Sequence, residues 1–333
     1  MRRLPRMVGL LLLLGILAGI YGLYRLSQPY RGFHDTTFVD LPRGISTLAM
    51  ADRLAQAGVV RSRWDFLAAR LVRRGRALQA GEYRFDLPAN PLDVFDRIAR
   101  GDAFHYTLVV PEGRNLFDIG AAIEQLGLFP ADRFVNAARH AALIRDLDPQ
   151  APSLEGYLFP DTYKLKRHTT PEDLCLTMTA RFREVWRGLG IAGNPHEIVT
   201  LASLVEKEGK LSEERPMIAA VFRNRLNLGM KLDCDPTTIY AAELDGRYRG
   251  VIHRSDLDSR NPYNTYQHAG LPPGPIANPG LGSLHAALHP ADTEALYFVL
   301  HPDGSGSHQF SKDLAAHQKA VETYRRGVRK PVR

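Results

Sequence analysis

With only Cys175 and Cys234 in 333 residues, the chain has no disulfide framework and no CxxC metal or redox motif. One bridge between the two stays open, and nothing in their spacing demands it. Charge is absent from residues 7–24, and as a helix rising 1.5 Å per residue that run spans about 27 Å, close to the hydrocarbon thickness of a bilayer. The run has no small-x-small cleavage site and no nearby cysteine for lipid attachment, which argues against a removable leader. Arg2, Arg3 and Arg6 precede it, so the positive-inside rule places the N-terminus in the cytoplasm and the bulk of the chain outside, although Arg25 and Arg31 weaken the asymmetry. The expectation is a cytoplasmic tail over residues 1–6, a single-pass anchor over 7–26 in the inner (cytoplasmic) membrane, and a periplasmic or otherwise extracytoplasmic remainder. A net charge of +7 favours an anionic partner. Nucleic acid is set aside, because an exported chain seldom meets it and the basic residues are dispersed. Their densest group, Arg70, Arg73, Arg74 and Arg76, reads as the wet end of a helix.

Beyond the anchor the pattern is mixed α+β. A weak repeat at an offset of 69 relates residues 38–60 to residues 108–129: Pro42 matches Pro111, Gly44 matches Gly113 and Gly58 matches Gly127. Each copy reads as a strand, a Pro-x-Gly turn and an amphipathic helix closed by glycine. Two copies are too few for a solenoid. Residues 36–150 are expected to form a small α+β region resembling wall-binding LysM modules, and residues 151–333 a larger mixed α+β catalytic domain. Helices are predicted over 171–188, 195–208, 213–228, 282–289 and 312–325, and a strand over 296–302.

The most informative stretch is LASLVEKEG (201–209), where an ionisable Glu206 follows an apolar run between two segments rich in Tyr, Asn, Pro and Gly, namely EGYLFPDTY (155–163) and NPYNTYQHAGLPPGPIANPG (261–280). Aromatic faces and amides suit sugar rings, so these segments read as the walls of a glycan cleft. On the helix, Ile198, Leu201, Ala202 and Val205 form the expected buried stripe. Glu206 and Glu208, two residues apart, stand about 200° apart around the axis and cannot both face one cleft. Glu206 sits at the stripe's edge; Glu208 is expected to face solvent with Lys207 and Lys210.

Together, EGYLFPDTY, LASLVEKEG, RPMIAAVFRNRLNLGMKLDCDPTTIYA, YNTYQHAGLPPGPIANPG and LHPDGSGSHQFSKDLAAHQKAV resemble the endolytic murein transglycosylases, the YceG-like or MltG-type proteins, over nearly the whole chain. The resemblance implies a lytic cut between N-acetylmuramic acid and N-acetylglucosamine in nascent peptidoglycan strands, leaving a 1,6-anhydro end and terminating growth. It implies that the first Glu of the V-E-K-E motif, Glu206, is catalytic. Glu155, Tyr163, Asn264, Thr265 and Tyr266 are the expected substrate-binding residues, with a hydrogen-bonded loop as the alternative for Asn264, Thr265 and Tyr266 and a structural role as the alternative for Glu155. One carboxyl suffices for this chemistry, as proton donor to the leaving oxygen and then base for the attacking 6-hydroxyl. A hydrolase would want a second carboxylate, for which Glu155, Asp161, Asp233 and Asp235 are candidates.

Histidines offer a competing chemistry. His285 and His289 are spaced as zinc ligands on a helix would be, with His301 and His308 to complete a site. The Glu of HExxH is missing and Pro290 ends the helix, so no metal and no cofactor is expected. The rival from another class is a non-catalytic, membrane-anchored wall-binding scaffold that positions wall synthases or division proteins.

Overall fold

The structure, a computed structural model, describes residues 3–190 and 194–328; the first two residues of the expected 1–6 tail lie outside these. The chain forms two compact units, Met1–Tyr106 and Thr107–Arg333.

The first unit opens with α1 (Arg3–Ser27). Its segment Met7–Ser27 is long and apolar enough to cross a membrane, with a mean hydropathy of 2.2, and residues 7–21 are exposed along its length. After it come β1 (Thr37–Leu41), α2 (Thr47–Gln56), α3 (Arg63–Val72), β2 (Gly81–Phe85) and α4 (Pro91–Arg100). β1 and β2 pair antiparallel, Thr37 opposite Phe85 and Leu41 opposite Gly81. Strand alternation sends Val39, Leu41, Tyr83 and Phe85 inward, where they meet Leu54, Phe66, Phe95 and Ile98. The helix ends follow local chemistry: Ser46 caps α2 through the Ala49 amide, Asn90 with Pro91 starts α4, and Gly101 closes it in the left-handed region.

β3 (Tyr106–Val109), α5 (Leu116–Gln125), α6 (Ala131–Ala138) and β4 (Thr162–Leu165) follow, and β3 pairs with β4. Each copy of the sequence repeat opens a strand, helix, helix, strand run, with left-handed glycines at the matched positions 44 and 113, and 58 and 127. The second copy is built into the larger unit, which begins at Thr107. Its turn is hydrogen-bonded there: Gly113 N donates to Asn278 O, Asn278 N to Arg114 O, and Leu116 N to Glu155 Oε2.

The larger unit continues with α7 (Pro171–Gly188), α8 (Pro195–Glu208), α9 (Arg215–Asn227), α10 (Asp235–Leu244), α11 (Arg254–Leu257), α12 (Leu281–Leu288), the antiparallel hairpin β5 (Tyr297–Leu300) and β6 (His308–Ser311), and α13 (Leu314–Val328). The mixed α+β class is as expected. α8 is the axis of the unit, with every residue from Ile198 to Val205 buried, so the four-residue apolar stripe understates it. Its buried Ser203 hydroxyl donates to Thr200 O and accepts from Ile276 N, fastening the Pro/Gly-rich loop along the helix. Gly156 (φ 86°) lies so close to the Pro275 ring that no side chain fits.

Candidate active site

Of the two segments expected to wall a cleft, residues 155–163 are largely core, while 261–280 is core over residues 274–280 and unburied over residues 266–271. Glu155 is 1% exposed; its Oε2 accepts from Leu116 N at 2.9 Å and its Oε1 from Asn278 Nδ2 at 2.8 Å. Burial pushes its carboxyl up to about 8, opposed by hydrogen bonds from the Leu116 amide and Tyr240 hydroxyl. Tyr163 is buried with its hydroxyl on Phe159 O. Asn264 is fully buried, its Nδ2 donating to the carbonyls of Asp256, Leu257 and Ser259 and its Oδ1 accepting from Thr238 Oγ1. Thr265, 1% exposed, accepts from Cys234 N and shares a hydrogen bond with Thr237. These four side chains are buried and hydrogen-bonded to loops inside the protein. Tyr266 differs, because the fastened Asn264 and Thr265 present its ring at a cavity.

Glu155 also sets a pH dependence. Between about 4.5, where the unfolded chain releases this proton, and about 8, the folded protein keeps it. Stability therefore falls as pH rises through that window, by at most about 1.4 kcal/mol per pH unit. Urea unfolding of the wild type at pH 5 and pH 8 should show the loss, and Glu155→Gln should flatten it.

Glu206, the expected acid, has both oxygens engaged. Arg215 Nη2 donates to Oε1 at 2.9 Å and Gly280 N to Oε2 at 3.0 Å, and the side chain is 5% exposed. Its Cγ lies against Gly113, whose missing side chain permits the approach, while Lys207 Nζ donates to Gly113 O. Glu206 thus joins the second repeat's turn, the start of α9 and the start of α12.

Glu208, expected in solvent, faces the opposite side of α8 and lines a cavity of about 430 Å³ with Phe222, Arg225, Asp233, Asp235, Tyr266 and Tyr297. The half-turn between the two glutamates is as expected, but the open side is that of Glu208. Burial raises its carboxyl above the ordinary range; nearby Asp235 adds to this, while a hydrogen bond from Cys234 Sγ to Oε1, 3.3 Å long, opposes it. Its place as the last residue of α8 also disfavours an anion, since helix C-termini carry negative partial charge.

The cavity floor is built around Arg225. This 9% exposed guanidinium donates to Leu296 O, Lys231 O and Leu232 O and contacts Asp233 Oδ2 at 3.3 Å. So pinned, the loop turns through Asp233 at φ 49°, the one non-glycine residue with positive φ among the described residues. α10 then starts at Asp235, whose Oδ1 accepts from Tyr266 Oη at 2.7 Å. The arrangement offers a protonatable carboxyl, an aromatic face and a second carboxylate around one hollow, which can donate a proton and hold hydroxyl groups. Sequence reasoning ranked Asp233 and Asp235 only as spare carboxylates and passed over Cys234 and Arg225; the signal available was the polar run LDCDP ahead of a helix.

The histidines are dispersed in role. His308 Nδ1 bonds Glu214 Oε2 at 2.7 Å and its ring packs on Phe298, while His285 and His289 stack with centroids 6.4 Å apart. Among the described residues, no three His, Cys, Asp or Glu side chains group as metal ligands. Cys175 and Cys234 are separate buried thiols.

Comparison with known proteins places this geometry. The endolytic murein transglycosylase of Bacillus subtilis (strain 168) is 32% identical over 328 residues, covering 92% of this chain and 90% of that protein. That of Streptococcus pneumoniae serotype 2 is 29% identical over 296 residues, 78% of this chain but 53% of the longer pneumococcal protein. The crystal structure of a YceG-like protein from Listeria monocytogenes aligns with a TM-score of 0.54 at 29% identity, covering 86% of this chain and 99% of that one. The pattern of the YceG-like family runs through residues 39–323, from β1 to α13 and across both repeat copies, α8 and the cavity; the chain belongs to the YceG-like family.

Proposed function

We propose that this chain is a membrane-anchored endolytic lytic transglycosylase that cleaves peptidoglycan between N-acetylmuramic acid and N-acetylglucosamine and so ends strand growth, with Glu208 as its acid and base. The activity is supported by the printed function of the Bacillus and Streptococcus relatives. The assignment rests on one observation, a carboxyl raised by burial at the wall of an open cavity. Protonated Glu208 gives its proton to the glycosidic oxygen as that bond breaks. The muramic 6-hydroxyl attacks the anomeric carbon, and the Glu208 carboxylate takes the hydroxyl proton, which restores the acid. No water enters and no cofactor is required. Asp235 and the Tyr266 ring are placed to receive sugar hydroxyls and a sugar face.

The resemblance carries the catalytic role instead to Glu206, and that second reading is separable by experiment. The first unit serves, in this proposal, as a LysM-like wall-binding module, supported by its strand-helix-helix-strand order. α1 would hold it at the cytoplasmic membrane with the N-terminus inside, which Arg2, Arg3 and Arg6 support.

The deciding experiment incubates the purified full chain with wall glycan strands in labelled water. Expected products carry 1,6-anhydro ends, one water lighter than hydrolysed ends and free of the label. Label at the new ends would make the enzyme a hydrolase, and an absence of cleavage would favour the scaffold. The pH profile follows from the sign of the shift. Only protonated Glu208 can donate, so kcat/KM should fall on the alkaline side at a pH above the usual carboxylate range. Asp235→Asn, which removes a neighbouring negative charge, should move that limb to lower pH.

A further inference from the structure

We propose that α3 is a second membrane contact of this protein, an interfacial helix that lies on the anionic phospholipid surface from which α1 emerges. The inference rests on the reading of α1 as a membrane span. The last turn of α1 is part of the first unit's core: Leu26 is 4% exposed, and Arg25 Nη2 meets Asp65 Oδ2, in the first turn of α3, at 2.9 Å. α3 therefore starts where the span ends.

One face of α3 is ordinary core, with Phe66 and Ala69 fully buried. The opposite face is also apolar. Trp64, Ala68, Leu71 and Val72 recur at helical spacing and are all exposed, Trp64 by 64% and Leu71 by 62%. An exposed Trp-Leu stripe on a domain surface marks a site of association. Charge selects the occupant: residues 61–76 hold six arginines against one aspartate, Asp65 is paired with Arg25, and although Arg63 meets Asp52 and Arg73 and Arg76 share Asp96, the arginines still outnumber these carboxylates. Arg63 stacks over the Trp64 ring at 5.0 Å, and Arg70, Arg73, Arg74 and Arg76 follow the stripe. Tryptophan backed by arginine is the composition of the membrane–water interface, where the ring sits among headgroups and guanidinium groups meet phosphates. The basic group that reads in sequence as a helix's wet end is, on this view, its lipid-phosphate end.

The test uses the full chain reconstituted in vesicles of phosphatidylcholine and phosphatidylglycerol with ordinary or brominated acyl chains. Brominated lipid should quench a fraction of the tryptophan emission that is absent in Trp64→Phe, and the quenching should shrink in phosphatidylcholine alone. Arg74→Gln should shift the docked-to-undocked ratio about fivefold toward undocked, the worth of one arginine near an anionic surface. Equal Trp64 emission in both lipids, with the chain still floating with the vesicles, would overturn the inference. Shielding of Trp64 that tracks protein concentration instead of lipid charge would overturn it in favour of a second copy of the chain. A chain that washes off the vesicles in high salt would refute the anchor first and this contact with it.

Discussion

Glu208→Gln should lose roughly 10²–10⁴-fold in kcat while the protein stays folded, the usual contribution of a positioned general acid. Glutamine keeps the size of the side chain and can still accept from Cys234 Sγ, which contacts Oε1 at 3.3 Å, but it has no proton to release to the glycosidic oxygen. Release of anhydro-ended fragments, followed by mass spectrometry at the wild-type pH optimum, measures the loss, and glycan co-sedimentation checks that binding survives. Glu206→Gln is the companion variant. If Glu206 holds segments together, the glutamine carbonyl can accept from Gly280 N or from Arg215 but its NH2 must face the other donor, so the variant should retain most of its kcat when folded while melting earlier. The reverse pattern, an active Glu208→Gln and an inactive, stable Glu206→Gln, would return the acid to the position the family resemblance implies.

Arg215→Ala should cost about 3–5 kcal/mol of stability, the penalty for stranding one member of a buried ion pair. The Glu206 side chain is 5% exposed and that of Arg215 14%, so water reaches the lost contact less than it does for surface pairs. The same guanidinium reaches Glu112 Oε2 at 3.5 Å, so its removal also frees the turn that carries Gly113. Urea unfolding gives the number. Glu206→Gln combined with Arg215→Ala should recover part of the loss, because the double variant leaves no unpaired charge inside. A cost below about 1 kcal/mol for Arg215→Ala would mean that the pair behaves as a surface bridge and that Glu206 is free for other work.

Much of the architecture was legible along the chain because it rests on local chemistry. The helices Pro171–Gly188 and Pro195–Glu208 have the predicted ends, where Thr170 and Asn194 cap and proline takes the first position. The repeat was legible too, since a left-handed glycine after a Pro-x-Gly turn and another after the helix are needed wherever those turns occur. β6 and α10 were not. Four residues of His-Gln-Phe-Ser form a strand only because β5 lies beside them, and the helix after Cys234 begins only once Arg225 and Thr265 have fixed the loop before it.

The site divides in the same way. From Asn264 alone, a cleft amide and a loop staple are indistinguishable; the three carbonyls its amide meets come from residues 256–259. The same holds for Glu155, whose partners Leu116 and Asn278 are 39 and 123 residues away. By itself, the sequence determined an apolar helix long enough for a membrane, an α+β body with a duplicated unit, and two glutamates on opposite sides of one helix, because helical periodicity is a property of neighbours. Which of those sides would be filled and which hollow was decided only when the 271–280 loop and the second repeat's turn closed over Glu206 and left Glu208 facing Asp235 and Tyr266. Burial is set by what packs from elsewhere in the chain, and a helix does not carry that information in its own residues.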